Sequence, residues 1–472
     1  MFHSDETLYR QLYLHIRALI REGIIADGMK LPSIRSLGRQ LNVSKTTVET
    51  AYHMLLEEGY VVSKERIGLL VVNPVRTDSA KPAEANIIAP ETADPELDDT
   101  EQARKQAPID FSLLTVDGDS FPVRLWKSLL GEALDVHGRS LHEYGDPRGE
   151  YALRASLAHY LRQSRGVLCS PEQIIVGTGI SYSIYLLSKL SGPSPGVAIE
   201  KPGIAQVRQI FARSGFRISP YSMPDSEDSD QKMPADIRML YVTPSHRPSG
   251  EPLPYAARQR LLQWAYDRQV DLIEDDYDGE LRLTGRPVPA LQSLDSNGSV
   301  IYIGSFSKVF TPAVRMNYMV LPVRLLQKLH ASNPFFSCPS RVEQWAMELL
   351  IARGHWYRHL RRMRKIYRHK RETLIRMIQN RMPDAVQIGG SGSGLHIELS
   401  ISADVCAEEL VGLARRQGVL VYGDQDDAIR LERGHPSVYL GFGGVNEHEM
   451  ELGVQRLKQA WSAVLLTRSE CR

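Results

Sequence analysis

Four residue types in one short stretch could act together on a phosphorylated aldehyde: Ser305-Phe306-Ser307-Lys308, with Arg315 seven residues beyond the lysine. Ahead of them, Ile301-Tyr302-Ile303 is short, apolar and β-branched, and predicts a buried strand that ends at Gly304. A lysine at the mouth of such a strand loses part of its hydration, which favours the free amine and hence a nucleophile. The hydroxyls of Ser305 and Ser307 and the guanidinium fork of Arg315 are donors suited to a phosphate. An amine beside a phosphate site is what pyridoxal phosphate requires. Taken alone, Ser-x-Ser-Lys is more often a surface turn.

A second stretch adds the missing chemistry. Glu274-Asp275-Asp276-Tyr277-Asp278 follows the apolar Val270-Asp271-Leu272-Ile273, so the acids stand at a strand end. A pyridine nitrogen needs a carboxylate to stay protonated, and the ring oxygen needs a donor such as a phenol. Asp275 and Tyr277, two apart, are expected on one side of the strand. A Ca²⁺ or Mg²⁺ cluster is the competing use of such acids. Counted from Glu274, however, the bidentate glutamate of a calcium loop falls on Gly285.

Together these residues resemble the fold-type I aminotransferases. The resemblance implies an aldimine on Lys308, Asp275 at the pyridine nitrogen and Tyr277 at the ring oxygen. It places Arg315, Ser305 and Ser307 at the phosphate. Gly177-Thr178-Gly179-Ile180-Ser181, a glycine loop running into an apolar helix, is a third phosphate-cradling piece, with Gly179, Ile180 and Ser181 at the turn.

The totals bound the rest. A chain of 472 residues suggests two or three domains, and 42% hydrophobic with 24% charged residues is ordinary for globular proteins. Cys169, Cys338, Cys406 and Cys471 are scattered, which fits a reducing cytoplasm and offers no paired-cysteine zinc site. No apolar run reaches membrane-spanning length and no signal segment opens the chain, so a cytoplasmic protein is expected.

The first 76 residues read as a separate α/β head. Leu8, Leu12, Ile16 and Ile20 recur on one face of a helix over 8–22. Ser33 caps a second helix that carries Ile34, Leu37 and Leu41 inward. Ser44 caps a third, with Val48, Tyr52 and Leu55 on its apolar face. Two short strands around Lys64–Gly68 complete a winged helix-turn-helix. Ten Lys/Arg against eight Asp/Glu give a net of only +2, so charge does not decide between DNA and a protein partner.

Gly28-x-x-Leu31-Pro32-Ser33-x-Arg35, Val43-Ser44-Lys45-x-x-Val48, Ala51-Tyr52 and Glu58-Gly59-Tyr60 resemble the GntR family of bacterial repressors. The resemblance implies a double-stranded DNA operator met by Ser33, Arg35, Ser44, Lys45, Thr46 and Thr47. Lys64, Arg66 and Gly68 are expected at the tip of the wing. Lys45 stands where arginine is commoner, which keeps a phosphate contact but weakens bidentate base reading.

Residues 77–110 hold nine Asp/Glu against three Lys/Arg, a net of −6, with few large apolar residues. They predict an acidic flexible linker. From 111 to 472 strands alternate with helices, as in a mainly parallel α/β sheet with a smaller C-terminal α/β subdomain. Tyr144-Gly145-Asp146-Pro147-Arg148-Gly149 and Leu153-Arg154 resemble the start of the aminotransferase domain. Glu200-Lys201-Pro202-Gly203-Ile204 lacks the usual tyrosine, and Thr243–Gly250 is one residue shorter than the common form. The nine Arg/Lys between Arg353 and Arg371 predict the solvated face of a long helix, with a second DNA contact as the alternative.

The head, linker and body together resemble the MocR/GabR subfamily of regulators over essentially the whole chain. The resemblance implies a homodimer without metal or membrane partner, sensing pyridoxal phosphate or an amine or amino acid that reacts with it. Arg430, and outside it Arg247, are the expected partners of an effector carboxylate. A working aminotransferase with an appended head is the alternative. The departures at Ile204, at Ser181, where relatives often carry glutamine, and at Arg247 favour sensing over turnover, leaving room for a partial transamination half-reaction.

Overall fold

A computed structural model describes residues 7–65, 67–72, 108–191, 195–200, 205–221, 237–245, 252–285, 288–332, 338–383, 385–389, 392–402, 405–423 and 435–465. The chain falls into two units, Met1–Asp98 and Asp99–Arg472.

In the first unit, α1 (Leu8–Arg21), α2 (Ile34–Leu41) and α3 (Lys45–Glu57) precede the antiparallel hairpin of β1 (Val61–Lys64) and β2 (Gly68–Val71). The expected caps form. Ser33 Oγ accepts from Ser36 N at 3.2 Å, and Ser44 Oγ accepts from Thr47 N at 3.1 Å. Leu12, Ile16, Ile20, Leu31, Val48, Tyr52, Leu55, Val61 and Val71 form the core. Two expectations need correction. Leu8 is exposed because it stands in the first helical turn, and Tyr13 fills the core instead, its hydroxyl donating to Glu58 and accepting from Arg17. Leu41, at the left-handed turn into Asn42, is also exposed. Tyr52 Oη donates to Pro32 O at 2.9 Å, which ties α3 to the start of α2.

The second unit begins with β3 (Ile109–Asp110), α4 (Val123–His137) and α5 (Tyr151–Ser164). Then follow β4 (Ile174–Gly177), α6 (Ile180–Leu190), β5 (Gly196–Glu200), α7 (Ala205–Arg213) and β6 (Arg217–Tyr221). Next come β7 (Ile237–Val242), α8 (Tyr255–Arg268), β8 (Asp271–Asp275), β9 (Val300–Ser305), β10 (Asn317–Val320) and α9 (Val323–Ser332). Two helices, α10 (Arg341–Ala352) and α11 (His355–Arg381), lead to β11 (Val386–Gly389), β12 (His396–Ile401) and α12 (Ala407–Arg416). The last elements are β13 (Val419–Leu420), β14 (Tyr422–Gly423), β15 (Ser437–Gly441) and α13 (Glu447–Trp461).

Seven strands form one sheet in the order β4-β10-β9-β8-β7-β5-β6, in which β10 alone runs antiparallel. Both faces are covered, so the strands are continuous apolar runs. In β9, Ile301 and Ile303 pack among the α6 leucines on one face, while Tyr302 enters the core on the other. A second, antiparallel sheet, β11-β12-β15-β14, forms the smaller subdomain.

The structure also corrects two boundaries and the reading of one helix face. Of the acidic stretch 77–110, Ile109 and Asp110 are β3, paired in parallel with β13 of the second unit. Gly304 does not end β9 but continues it, since Gly304 and Ser305 pair with Tyr318 and Asn317 of β10; glycine stands there because the ring of Tyr318 occupies the place a Cβ would need. The basic face of α11 is only partly solvated. Arg364 Nε donates to Glu280 O at 2.6 Å, Arg368 Nε to Leu283 O at 2.7 Å, and Lys370 Nζ meets Asp117 Oδ1 at 2.8 Å.

Candidate cofactor site and DNA-facing surface

Because β10 runs against its neighbours, its first residue lies beside the last residues of two others. Asn317 pairs with Gly177 of β4 on one side and Ser305 of β9 on the other, while Asp275 of β8 stands opposite Ile303. Residues far apart in sequence thus meet at the carboxyl edge of the sheet, where ligands of such sheets bind.

The first piece of this edge is a backbone cradle. Gly179 sits at φ 128°, a conformation that side chains rarely adopt, and a Cβ there would lie 3.2 Å from Arg315 Nη2. Gly179 N donates to Asn317 Oδ1 at 2.9 Å, and Asn317 Nδ2 donates to Ser183 Oγ at 2.8 Å. The loop is thereby locked with the N-terminus of α6 beside the guanidinium. Arg315 itself holds φ 46°, a left-handed conformation uncommon for a residue with a Cβ and enriched at functional positions. Of the other two residues expected at this turn, Ile180 opens α6 and Ser181 is exposed in its first turn.

At the next strand ends the acidic run is sorted residue by residue. Glu274 accepts from Leu291 N at 2.6 Å and Gln292 N at 2.9 Å. Asp276 receives Arg165 Nε at 2.7 Å and Nη2 at 3.0 Å, plus Tyr302 Oη at 2.8 Å. Both are structural acids. Asp275 points elsewhere and accepts from Tyr241 Oη at 2.5 Å. Burial, offset by that hydrogen bond and reinforced by Asp276 and Asp278, pushes Asp275 up to about 7. Tyr277 lies just past the strand rather than on it, and burial with the nearby acids Asp278 and Asp275 raises its phenol well above the ordinary range. Among the described residues no group of three or more His, Cys, Asp or Glu is placed to hold a metal ion.

Ser305 and Ser307 flank the end of β9, and Ser305 Oγ accepts from Ser307 N at 3.1 Å. Lys308, half-buried, donates from Nζ to Leu113 O at 2.5 Å. Leu113 belongs to a segment after β3 that crosses to the smaller subdomain, where Gly441 N donates to Phe111 O at 2.8 Å. Lys370 holds the same segment through Asp117 and also donates to Gly443 O at 2.9 Å.

Sequence reasoning missed Tyr241 and Asn317. Tyr241 sits inside an apolar strand and Asn317 two residues after Arg315 in Arg315-Met316-Asn317-Tyr318, so only the three-dimensional register marks them. Arg66, Arg247 and Arg430 lie outside the described residues.

On the head, Arg35, Lys45, Thr46, Lys64 and Gly68 are exposed, as DNA contact requires. Ser33 and Ser44 serve as caps. Thr47 is half-buried and its Oγ1 lies 2.7 Å from Ser44 Oγ, so it belongs to the cap rather than to the outer face.

The chain matches the model of bacterial regulatory proteins of the gntR family over residues 8–71, and that of aminotransferase class I and II over residues 117–421. It is similar to an uncharacterized HTH-type transcriptional regulator, YdeL, of Bacillus subtilis, at 38% identity over 97% of both chains. It is also similar to the probable rhizopine catabolism regulatory protein MocR of Rhizobium meliloti, at 30% identity over 98% of this chain and 95% of that one. The chain belongs to the MocR/GabR subfamily of GntR-type regulators. Its body has the fold of the aminotransferases. The Pyrococcus horikoshii kynurenine aminotransferase structure superposes with a TM-score of 0.68 at 22% identity, over 77% of this chain and 95% of that one. This MocR-type regulator is therefore a DNA-binding transcription regulator with a pyridoxal-phosphate-binding body. The edge described above fits that group: a helix N-terminus beside the Arg315 guanidinium suits a phosphate, the buried Asp275 suits a ring nitrogen, and Lys308 follows the end of β9, the strand between β10 and β8. No helix among its described residues is long and apolar enough to cross a membrane.

Proposed function

We propose that this regulator holds pyridoxal phosphate covalently through Lys308 and uses it to sense either the cofactor itself or an amino acid or amine that reacts with it. The observation that carries the reading is the meeting of Gly179, Arg315 and Asp275 at one sheet edge. When bound, the cofactor would supply an electrophilic imine carbon, at which a primary amine would exchange for the Lys308 amine. The Gly179 loop and Arg315 hold its phosphate, with Ser305 and Ser307 as further donors. Asp275, steadied by Tyr241, faces its ring nitrogen, and Tyr277 donates to its ring oxygen. Arg430 or Arg247 pairs with an effector carboxylate. The protein works as a homodimer whose two heads take two half-sites of an operator. Effector binding shifts the balance between arrangements of heads and body that already exist.

The test is the visible absorption of the purified protein, followed by borohydride reduction and peptide mass mapping. The label is expected on the peptide containing Lys308, and Lys308→Ala should lose the band and the label while keeping its fold. A protein that neither contains nor takes up pyridoxal phosphate sinks the reading. Amino acids and amines are then titrated against the band. A response to none of them leaves the cofactor itself as the signal.

A further inference from the structure

The outward sector of α3 contains a residue that none of the expected DNA contacts includes. Lys45, Thr46, Glu49 and His53 are exposed along it, whereas Val48, Ala51, Tyr52 and Leu55 are buried behind. At 3.6 residues per turn, Glu49 stands about 40° around the axis from Lys45 and about 60° from Thr46, between the two and one turn further in. A recognition helix presents its first turns to the base edges, so this is the middle of the reading face. Glu49 is an odd residue to place opposite a polyanion. It is held at 3.3 Å from Lys45 Nζ, which neutralises its repulsion from the phosphates.

We propose that Glu49 is a specificity-determining residue that selects a cytosine in the major groove of the operator. A carboxylate can only accept hydrogen bonds. Guanine and thymine offer acceptors at their major-groove edges and repel it. Adenine offers an amino group beside the N7 acceptor, whereas cytosine offers its N4 amino group without that acceptor. Glu49 accepts from that amino group while Lys45 stays paired with it and faces the backbone. Thr46 is the neighbouring reader. Thr47, spent on the Ser44 cap, reads nothing.

The full-length chain is used to select from a duplex library carrying a randomised stretch, as wild type, Glu49→Ala and Glu49→Gln. Wild type should fix a C·G pair at one position. Glu49→Ala should accept all four pairs there within about threefold, and Glu49→Gln should move the preference to A·T, because a glutamine amide matches the N6 and N7 of adenine. On one selected duplex, replacing that C·G by T·A should weaken wild type about tenfold and Glu49→Ala hardly at all. A Glu49→Ala protein that still prefers cytosine overturns the proposal. So does one that binds every duplex more tightly by a common factor, since Glu49 would then be only a surface charge. If Glu49→Ala binds nothing, Glu49→Gln decides: a retained cytosine preference overturns the proposal, and a move to A·T upholds it.

Discussion

The cofactor edge and the DNA-facing surface solve opposite problems. At the cofactor edge, the proposed groups come from four strand ends spread from Gly177 to Asn317; Asp275 and Asn317 are buried and tied to other strands by hydrogen bonds, Lys308 is half-buried and Arg315 exposed. On the head they come from two adjacent helices and a hairpin, and they are exposed and held by local caps. A site that must exclude water depends on long-range packing, whereas a surface that meets a large rigid partner needs only local geometry. The same substitution should therefore cost far more in one place than in the other.

Arg165→Ala sharpens the contrast most. It leaves the Asp276 carboxylate buried and unpaired, and breaking such a pair costs about 3–5 kcal/mol. Urea denaturation followed by circular dichroism should show an early transition of the body. An unchanged midpoint would mean that the network behind the site does not hold it together.

Asp275→Asn, one residue from Asp276, should spare the fold and weaken pyridoxal phosphate about tenfold to a hundredfold, read by titrating the visible band. It should also change a pH dependence. Glu274, Asp275 and Glu280 are all pushed up to about 7, first by burial, with Asp276 adding to each. Free carboxylates titrate near 4, so between about pH 4 and pH 7 the folded state binds protons that the unfolded chain has released. These acids therefore favour the fold most below about pH 4, and that stability is lost as pH rises to about 7 and then levels off. The cofactor-free protein should melt lower at pH 7.5 than at pH 5.5, with a smaller drop in Asp275→Asn. Equal drops in the two proteins would remove Asp275 from the titration.

Ser44→Ala makes the smallest change. Loss of the cap should cost the head about 1 kcal/mol, seen as a shift in its own unfolding transition, and should leave cofactor affinity untouched. A change in the visible band would show that head and body are coupled through α3.

Much of this was legible in the sequence. The head declared itself through caps and periodicity, because Ser33, Ser44 and the apolar stripes act within a few residues of themselves. Leu8 and Leu41 misled only because helix ends escape the core. The body was legible where one stretch carries several roles, as at Ser305–Lys308 and Glu274–Asp278. It was not legible where a partner sits on another strand. Nothing in Met239-Leu240-Tyr241-Val242 marks its tyrosine as the donor to Asp275, and nothing in a basic helix says that Arg364 and Arg368 turn inward to carbonyls.

The antiparallel course of β10 sets a rule of length. Lys308 and Arg315 are delivered by one excursion that leaves the sheet at Ser305 and must return at Asn317, paired with it. The excursion has a fixed start, a fixed end and a left-handed turn at Arg315, so it has no slack to absorb an added or missing residue. One residue more or less would either unpair Asn317, releasing the Gly179 loop, or shift the left-handed turn that sets Arg315 beside that loop. In this stretch the count of residues is as binding as their identity, whereas the chemistry elsewhere on the edge tolerates any connection long enough to reach it.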